Sequence, residues 1–122
     1  MNLSKLTTEG RNPASENIDT LPARDIVGII SENDRTVADA VASQLDAIAK
    51  IASAAAHSIE SGGRLIYMGA GTSGRLGVLD AAECRPTYGV PDGVVIGLIA
   101  GGKEAMFHAV EGAEDSLTLG AD

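Results

Sequence analysis

The chain has 122 residues, 44% hydrophobic but only 2% aromatic, with 15 glycines and a formal charge of −8. A core of Ala, Val, Ile and Leu suits helices packed on a parallel sheet better than an aromatic-rich β-sandwich. The acidic balance argues against nucleic acid, because no basic patch is present to neutralise a phosphate backbone.

Residues 1–22 are polar, broken by Pro13 and Pro22, and without hydrophobic period, so they read as an extended arm. Met1 to Glu9 lacks the apolar core of a signal peptide, and no run reaches the ~18 apolar residues that span a bilayer. Residues 23–62 read as helical. A short amphipathic helix is expected over Ala23 to Ser31, and Asp34 reads as the N-cap of a long helix ending at Gly62-Gly63. Val37, Val41, Leu45, Ile48, Ala52, Ala55 and Ile59 recur at spacings of three or four, one apolar stripe that suits a sheet or a second subunit.

From residue 63 the pattern changes to alternating strands and helices. Leu65–Met68 reads as a strand, followed by a Gly-rich turn over Gly69–Gly77 and a helix over Leu76 to Glu83. Cys84 to Pro91 reads as a breaker and Gly93 to Ala100 as a buried parallel strand. Gly101-Gly102 then opens a second turn before a helix from Lys103 to about Ala113. Two parallel strands make a poor sheet, so residues 63–122 are expected to be the first part of a longer domain. The single cysteine, Cys84, has no internal disulfide partner, which fits a reducing cytoplasm.

The turn carries the chemistry. Glycines let the backbone bend tightly, and a helix N-terminus beyond them offers unpaired N–H groups and the positive end of the dipole. Gly71, Thr72, Ser73 and Gly74 therefore form a candidate phosphate site, with the Thr72 and Ser73 hydroxyls as further donors. Arg75 and Lys103 sit beside Gly-rich turns and could pair with phosphate or carboxylate, though each reads equally well as surface charge. Gly69, Gly71 and Gly74 make a G-x-G-x-x-G pattern, but the end of the second strand and the turn after it, Leu98-Ile-Ala-Gly-Gly102, lack the acidic residue of a dinucleotide site. No Gly-Lys-Ser/Thr follows, so it is not a P-loop. A turn that only packs strand on helix is the plainer alternative. His57 and His108 lack a second His or a Cys at ligand spacing, so no metal is expected. Cys84 reads as a packed residue rather than a nucleophile.

Gly69-Ala-Gly-Thr-Ser-Gly-Arg-Leu-Gly-Val-Leu-Asp-Ala-Ala-Glu-Cys-Arg-Pro-Thr-Tyr88 closely resembles the signature of the N-acetylmuramic acid 6-phosphate etherases, of the sugar isomerase (SIS) fold family. Leu6 to Asn12 with Asn17 to Asp19, and Ala100 to Met106 with Glu111 to Asp115, match the same family. The resemblance implies an α/β three-layer SIS fold, its parallel sheet flanked by helices and preceded by an arm and a long helix. Relative to the family the chain ends before the domain does, and these 122 residues alone are expected to be inactive.

The resemblance also implies a cytoplasmic homodimeric lyase, without cofactor, that removes D-lactate from the C3 ether of N-acetylmuramate 6-phosphate in cell-wall sugar recycling. The family's two carboxylates fall on Glu83, the acid assisting lactate departure, and Glu114, the base at C2. Ala81-Ala82 before Glu83 suggests a partly desolvated carboxyl, the condition that keeps an acid protonated. Arg85 adjoins Glu83 and could hold its charge. Arg11 is a similar, weaker candidate, and Asn12 and Asn17 could fold over the site or cover a subunit interface.

Ten residues of unbroken helix would separate Ser73 from Glu83 by roughly 15 Å. Either the helix bends early or the site is shared between subunits, and the shared site is favoured. Two other readings stay open. A SIS-type sugar-phosphate isomerase would need one base but no acid at C3. A non-catalytic regulator would resemble the vertebrate sugar-phosphate sensor of glucokinase.

Overall fold

Pro22, with a φ of −59° already suited to a helix start, leads into α1 (Ala23–Ala42), and Asp25 in the first turn complements its dipole. The computed structural model describes residues 10–116, so Leu6 to Glu9 of the family motif lies outside the described residues. Of the arm expected to be extended, the described part holds two 3-10 turns, Pro13–Ser15 and Ile18–Thr20. Two compact units divide the chain, one ending at Ile48 and the other beginning at Ala49.

In the first unit Asp34 starts no helix; it lies inside α1. The polar run Ser31 to Asp34 holds neither Gly nor Pro, and extending an existing helix costs less than nucleating another. The break comes at Ser43-Gln44 instead, before α2 (Leu45–Glu60). There the Ser43 hydroxyl donates to the Ala40 carbonyl at 2.7 Å, and Gln44 N–H bonds the Val41 carbonyl at 2.9 Å. These short-range bonds compete with the helical ladder. The expected stripe is thus divided between two helices, and Val37, Val41, Leu45 and Ile48 are all exposed.

The second unit holds β1 (Leu65–Gly69), α3 (Gly71–Tyr88) and β2 (Val95–Ile99). The strands pair in parallel, from Leu65 opposite Val95 to Gly69 opposite Ile99, which is the α/β rhythm expected. The pleat alternates: Leu65, Tyr67 and Gly69 are half-buried, while Ile66 and Met68 are exposed. α3 packs closely on the first face, and Gly74 is its buried contact. Among the described residues the one buried hydrophobic side chain is Ala105, just beyond β2.

Two expected boundaries are corrected. α3 starts at Gly71 and runs past Glu83 to Tyr88. Pro86 leaves only one helical acceptor unpaired so near the end, and Gly89, at φ 68°, closes the helix with its N–H on the Arg85 carbonyl. The helix expected from Lys103 to Ala113 is only a 3-10 turn, Gly102–Met106. Phe107 and His108 both bond back to the Glu104 carbonyl, after which looser turns follow. Among the described residues no helix is long and apolar enough to cross a membrane.

Candidate functional site

The end of β1 and the start of α3 build the site. Ala70 is the extended N-cap (φ −117°, ψ 163°), and its own side chain makes no capping hydrogen bond. Gly71 follows at φ 52°, a conformation side chains other than glycine rarely adopt. The first helical bond runs from Gly74 N–H to the Ala70 carbonyl at 3.0 Å. The N–H groups of Gly71, Thr72 and Ser73 precede it and have no partner within the helix, and all three residues are exposed. Here an anion would meet N–H donors, two hydroxyls and the helix dipole together.

Gly74 has a different place from the one expected. Its N–H is taken, and a Cβ there would lie 2.6 Å from the Gly69 carbonyl oxygen and 2.8 Å from Ile99 Cγ1. It brings the helix onto the strand, and the plainer packing role describes Gly69 and Gly77 as well, where a Cβ would lie 2.9 Å from Gly74 N and 2.7 Å from Tyr67 Cβ; around Gly71 the space is open. Arg75 differs too. Its Nε–H donates to the Met106 carbonyl at 3.2 Å and its Nη2 to the His108 carbonyl at 3.5 Å.

An open cleft of about 130 Å³ lies beside the turn. Gly71 and Arg75 form one wall, and residues 109–114 form the other. Glu114 is therefore brought to the Gly-rich turn. Glu111 lines the same cleft, a carboxylate given no role from the sequence; its three-residue spacing from Glu114 across Gly112 was the available signal.

Glu83 does not join them. It follows Gly74 by nine residues, which at 3.6 residues per turn places it on the opposite face of α3. It is exposed, which corrects the expectation of a desolvated carboxyl. α3 is unbroken from Gly71 to Tyr88, so an early bend does not shorten the separation from Ser73. Nor does Arg85 hold Glu83; it pairs with Asp92 at 2.6 Å on the surface. Between strand and helix, the Tyr67 phenol is held above its ordinary value, first by its hydrogen bond to Asp80, then by burial and by the Asp80 charge.

The weaker candidates have local partners. Asn12 Oδ1 accepts from Ala14 N–H and Asn12 Nδ2 donates to Asn33, both at 3.0 Å. Asn17 sits at φ 64° before a 3-10 turn. His108 lies 3.6 Å from Glu104, both exposed.

The chain is 60% identical over 116 residues to a Cutibacterium acnes protein named N-acetylmuramic acid 6-phosphate etherase, covering 95% of this chain and 38% of that one. Proteins of the same name from Salmonella typhimurium and Cronobacter sakazakii are each 57% identical over all 122 residues, 41% of their own length. The likeness to the etherases seen in residues 69–88 thus extends along the chain, which spans about two fifths of the curated relatives it matches. The family model of the glucokinase regulatory protein N-terminal SIS domain matches residues 46–122. With more than half its length in that match, the chain belongs to this SIS-domain family.

Proposed function

We propose that the full-length protein is a lyase cleaving the D-lactyl ether of N-acetylmuramate 6-phosphate to N-acetylglucosamine 6-phosphate and D-lactate. The observation that carries this reading is 57–60% identity, along nearly the whole chain, to proteins named for that etherase. The geometry suits it. The N–H groups of Gly71, Thr72 and Ser73 receive the 6-phosphate, and Glu114 lies across the same cleft.

An alkyl ether is a poor leaving group, but the ring-opened sugar carries an aldehyde at C1 that acidifies the C2 proton. Glu114 takes that proton, the C2–H electrons form the C2–C3 double bond, and the C3–O bond breaks. Glu83 gives its proton to the departing lactate oxygen. Water then adds back, its oxygen at C3 and a proton at C2. Two carboxyl groups in opposite protonation states do this work.

Because Glu83 lies roughly 15 Å along the unbroken α3 from Ser73, the reading includes a homodimer in which Glu83 of one subunit serves the cleft of the other. It also includes a cytoplasmic location, in keeping with the free Cys84. The test is lactate release from the sugar phosphate in heavy water, with deuterium at C2 of the product. The family match to a regulatory protein favours a second reading, a non-catalytic sugar-phosphate sensor. Saturable binding without lactate would select it, and aldose–ketose interconversion would select a SIS isomerase.

A further inference from the structure

Arg75 stands at the first turn of α3, yet two of its donors are spent on main-chain carbonyls more than 30 residues downstream, those of Met106 and His108. Those carbonyls lie at the last residue of the 3-10 turn Gly102–Met106 and just beyond it, where no helix continues to use them. The segment beyond has few other ties. Phe107 is 84% exposed, and the turns at Ala113 and Asp115 close on N···O distances of 3.3 Å. This same segment brings Glu111 and Glu114 to the cleft, facing Gly71.

We propose that Arg75 is a positioning residue. By bridging the Met106 and His108 carbonyls it ties the 106–114 segment to the phosphate-binding turn, and so sets the distance between a bound phosphate and Glu114. The role of Glu114 rests on the etherase reading above; the tie itself does not. A guanidinium suits the task because its donors form a rigid fork, so Nε–H and Nη2–H reach two carbonyls at once. A lysine keeps the charge but offers one compact ammonium that cannot span both from the same helix position.

The experiment compares the full-length protein with Arg75→Lys by hydrogen exchange and by steady-state lactate release. The tie predicts that exchange over 104–114 speeds up about tenfold or more while β1 keeps its protection, since charge-assisted hydrogen bonds are lost. It also predicts that kcat falls about tenfold or more while KM stays within about threefold. Unchanged exchange over 104–114 would overturn the proposal. So would a KM raised about tenfold at constant kcat, the mark of a direct phosphate ligand.

Should Arg75→Lys lose β1 protection as well, Gly112→Ala strains the same segment at φ 74° with Arg75 intact. It must reproduce the kcat loss at near-constant KM, and failure to do so overturns the positioning role. If the unaltered protein releases no lactate, the etherase reading falls, and the exchange measurement still decides the tie.

Discussion

Replacing Gly74 by alanine sets two opposed effects against each other at one atom. In a helix interior alanine is favoured over glycine by about 1 kcal/mol, so propensity alone makes Gly74→Ala stabilising. The structure reverses the sign. The added methyl would lie 2.6 Å from the Gly69 carbonyl oxygen, 2.9 Å from its carbon and 2.8 Å from Ile99 Cγ1. Ile99 can turn aside, but Gly69 is backbone held in the ladder, its carbonyl accepting from Ala100 N–H at 2.9 Å. Overpacking of this kind costs about 3 kcal/mol at its upper range, leaving a net loss of about 2 kcal/mol. Urea unfolding of the full-length protein followed by circular dichroism measures it. Ala82→Gly, exposed on the same helix, calibrates the propensity effect at about 1 kcal/mol. A Gly74→Ala protein as stable as its parent, or more so, would refute the close-approach argument.

Glu114→Gln is expected to lower kcat by about 10²-fold to 10⁴-fold with KM nearly unchanged, measured as lactate release. Mixing Glu83→Gln and Glu114→Gln subunits at random should restore about one quarter of native activity, because half the dimers then carry one intact shared site. No recovery after verified subunit exchange would sink the shared site. Ser73→Ala should raise KM for the sugar phosphate several-fold with little change in kcat, as expected for a ground-state phosphate contact. The Tyr67 phenol is held above its ordinary pKa, so the folded state prefers its protonated form. Stability from the Tyr67–Asp80 bond is therefore full below about pH 10 and lost as pH rises further. Alkaline unfolding should show this loss in the parent and not in Tyr67→Phe.

The parts legible in the sequence are those whose signals are local. Leu65–Met68 and Gly93–Ala100 are apolar runs bounded by glycine, and they became the two paired strands, the first extended to Gly69 and the second trimmed to Val95–Ile99. A strand-to-helix turn was legible from the glycine spacing, but residues 71–77 of the expected nine-residue turn belong to α3. Boundaries that depend on competing bonds were not. Pro86 reads as a stop, but one missing donor near a helix end costs little, so α3 continues to Tyr88. Ser43 carries no breaker signal, yet its hydroxyl bond to Ala40 marks the break. In the site, Arg75 reads as a phosphate ligand because its partners, Met106 and His108, are distant in sequence. Glu83 reads as sheltered because Ala81 and Ala82 precede it, whereas helical phase from Gly74 turns it outward.

That outward phase ties Glu83 to the exposed leucines around it. Leu76 and Leu79 lie on the same face of α3, seven and four residues before Glu83, and are 60% and 55% exposed. A carboxyl that donates a proton to a departing oxygen works best out of bulk water, and among the described residues of its own unit nothing removes that water from Glu83. A second subunit that covered Leu76 and Leu79 would desolvate Glu83 in the same step, so the dimer and the acid would be completed together. Leu79→Ser in the full-length protein should therefore weaken dimerisation and lower kcat in parallel, with activity recovering at high protein concentration. Sedimentation velocity read beside lactate release tests the link. A Leu79→Ser protein that remains fully active as a monomer would sever Glu83 from the partner subunit and return the acid's role to the chain's own cleft.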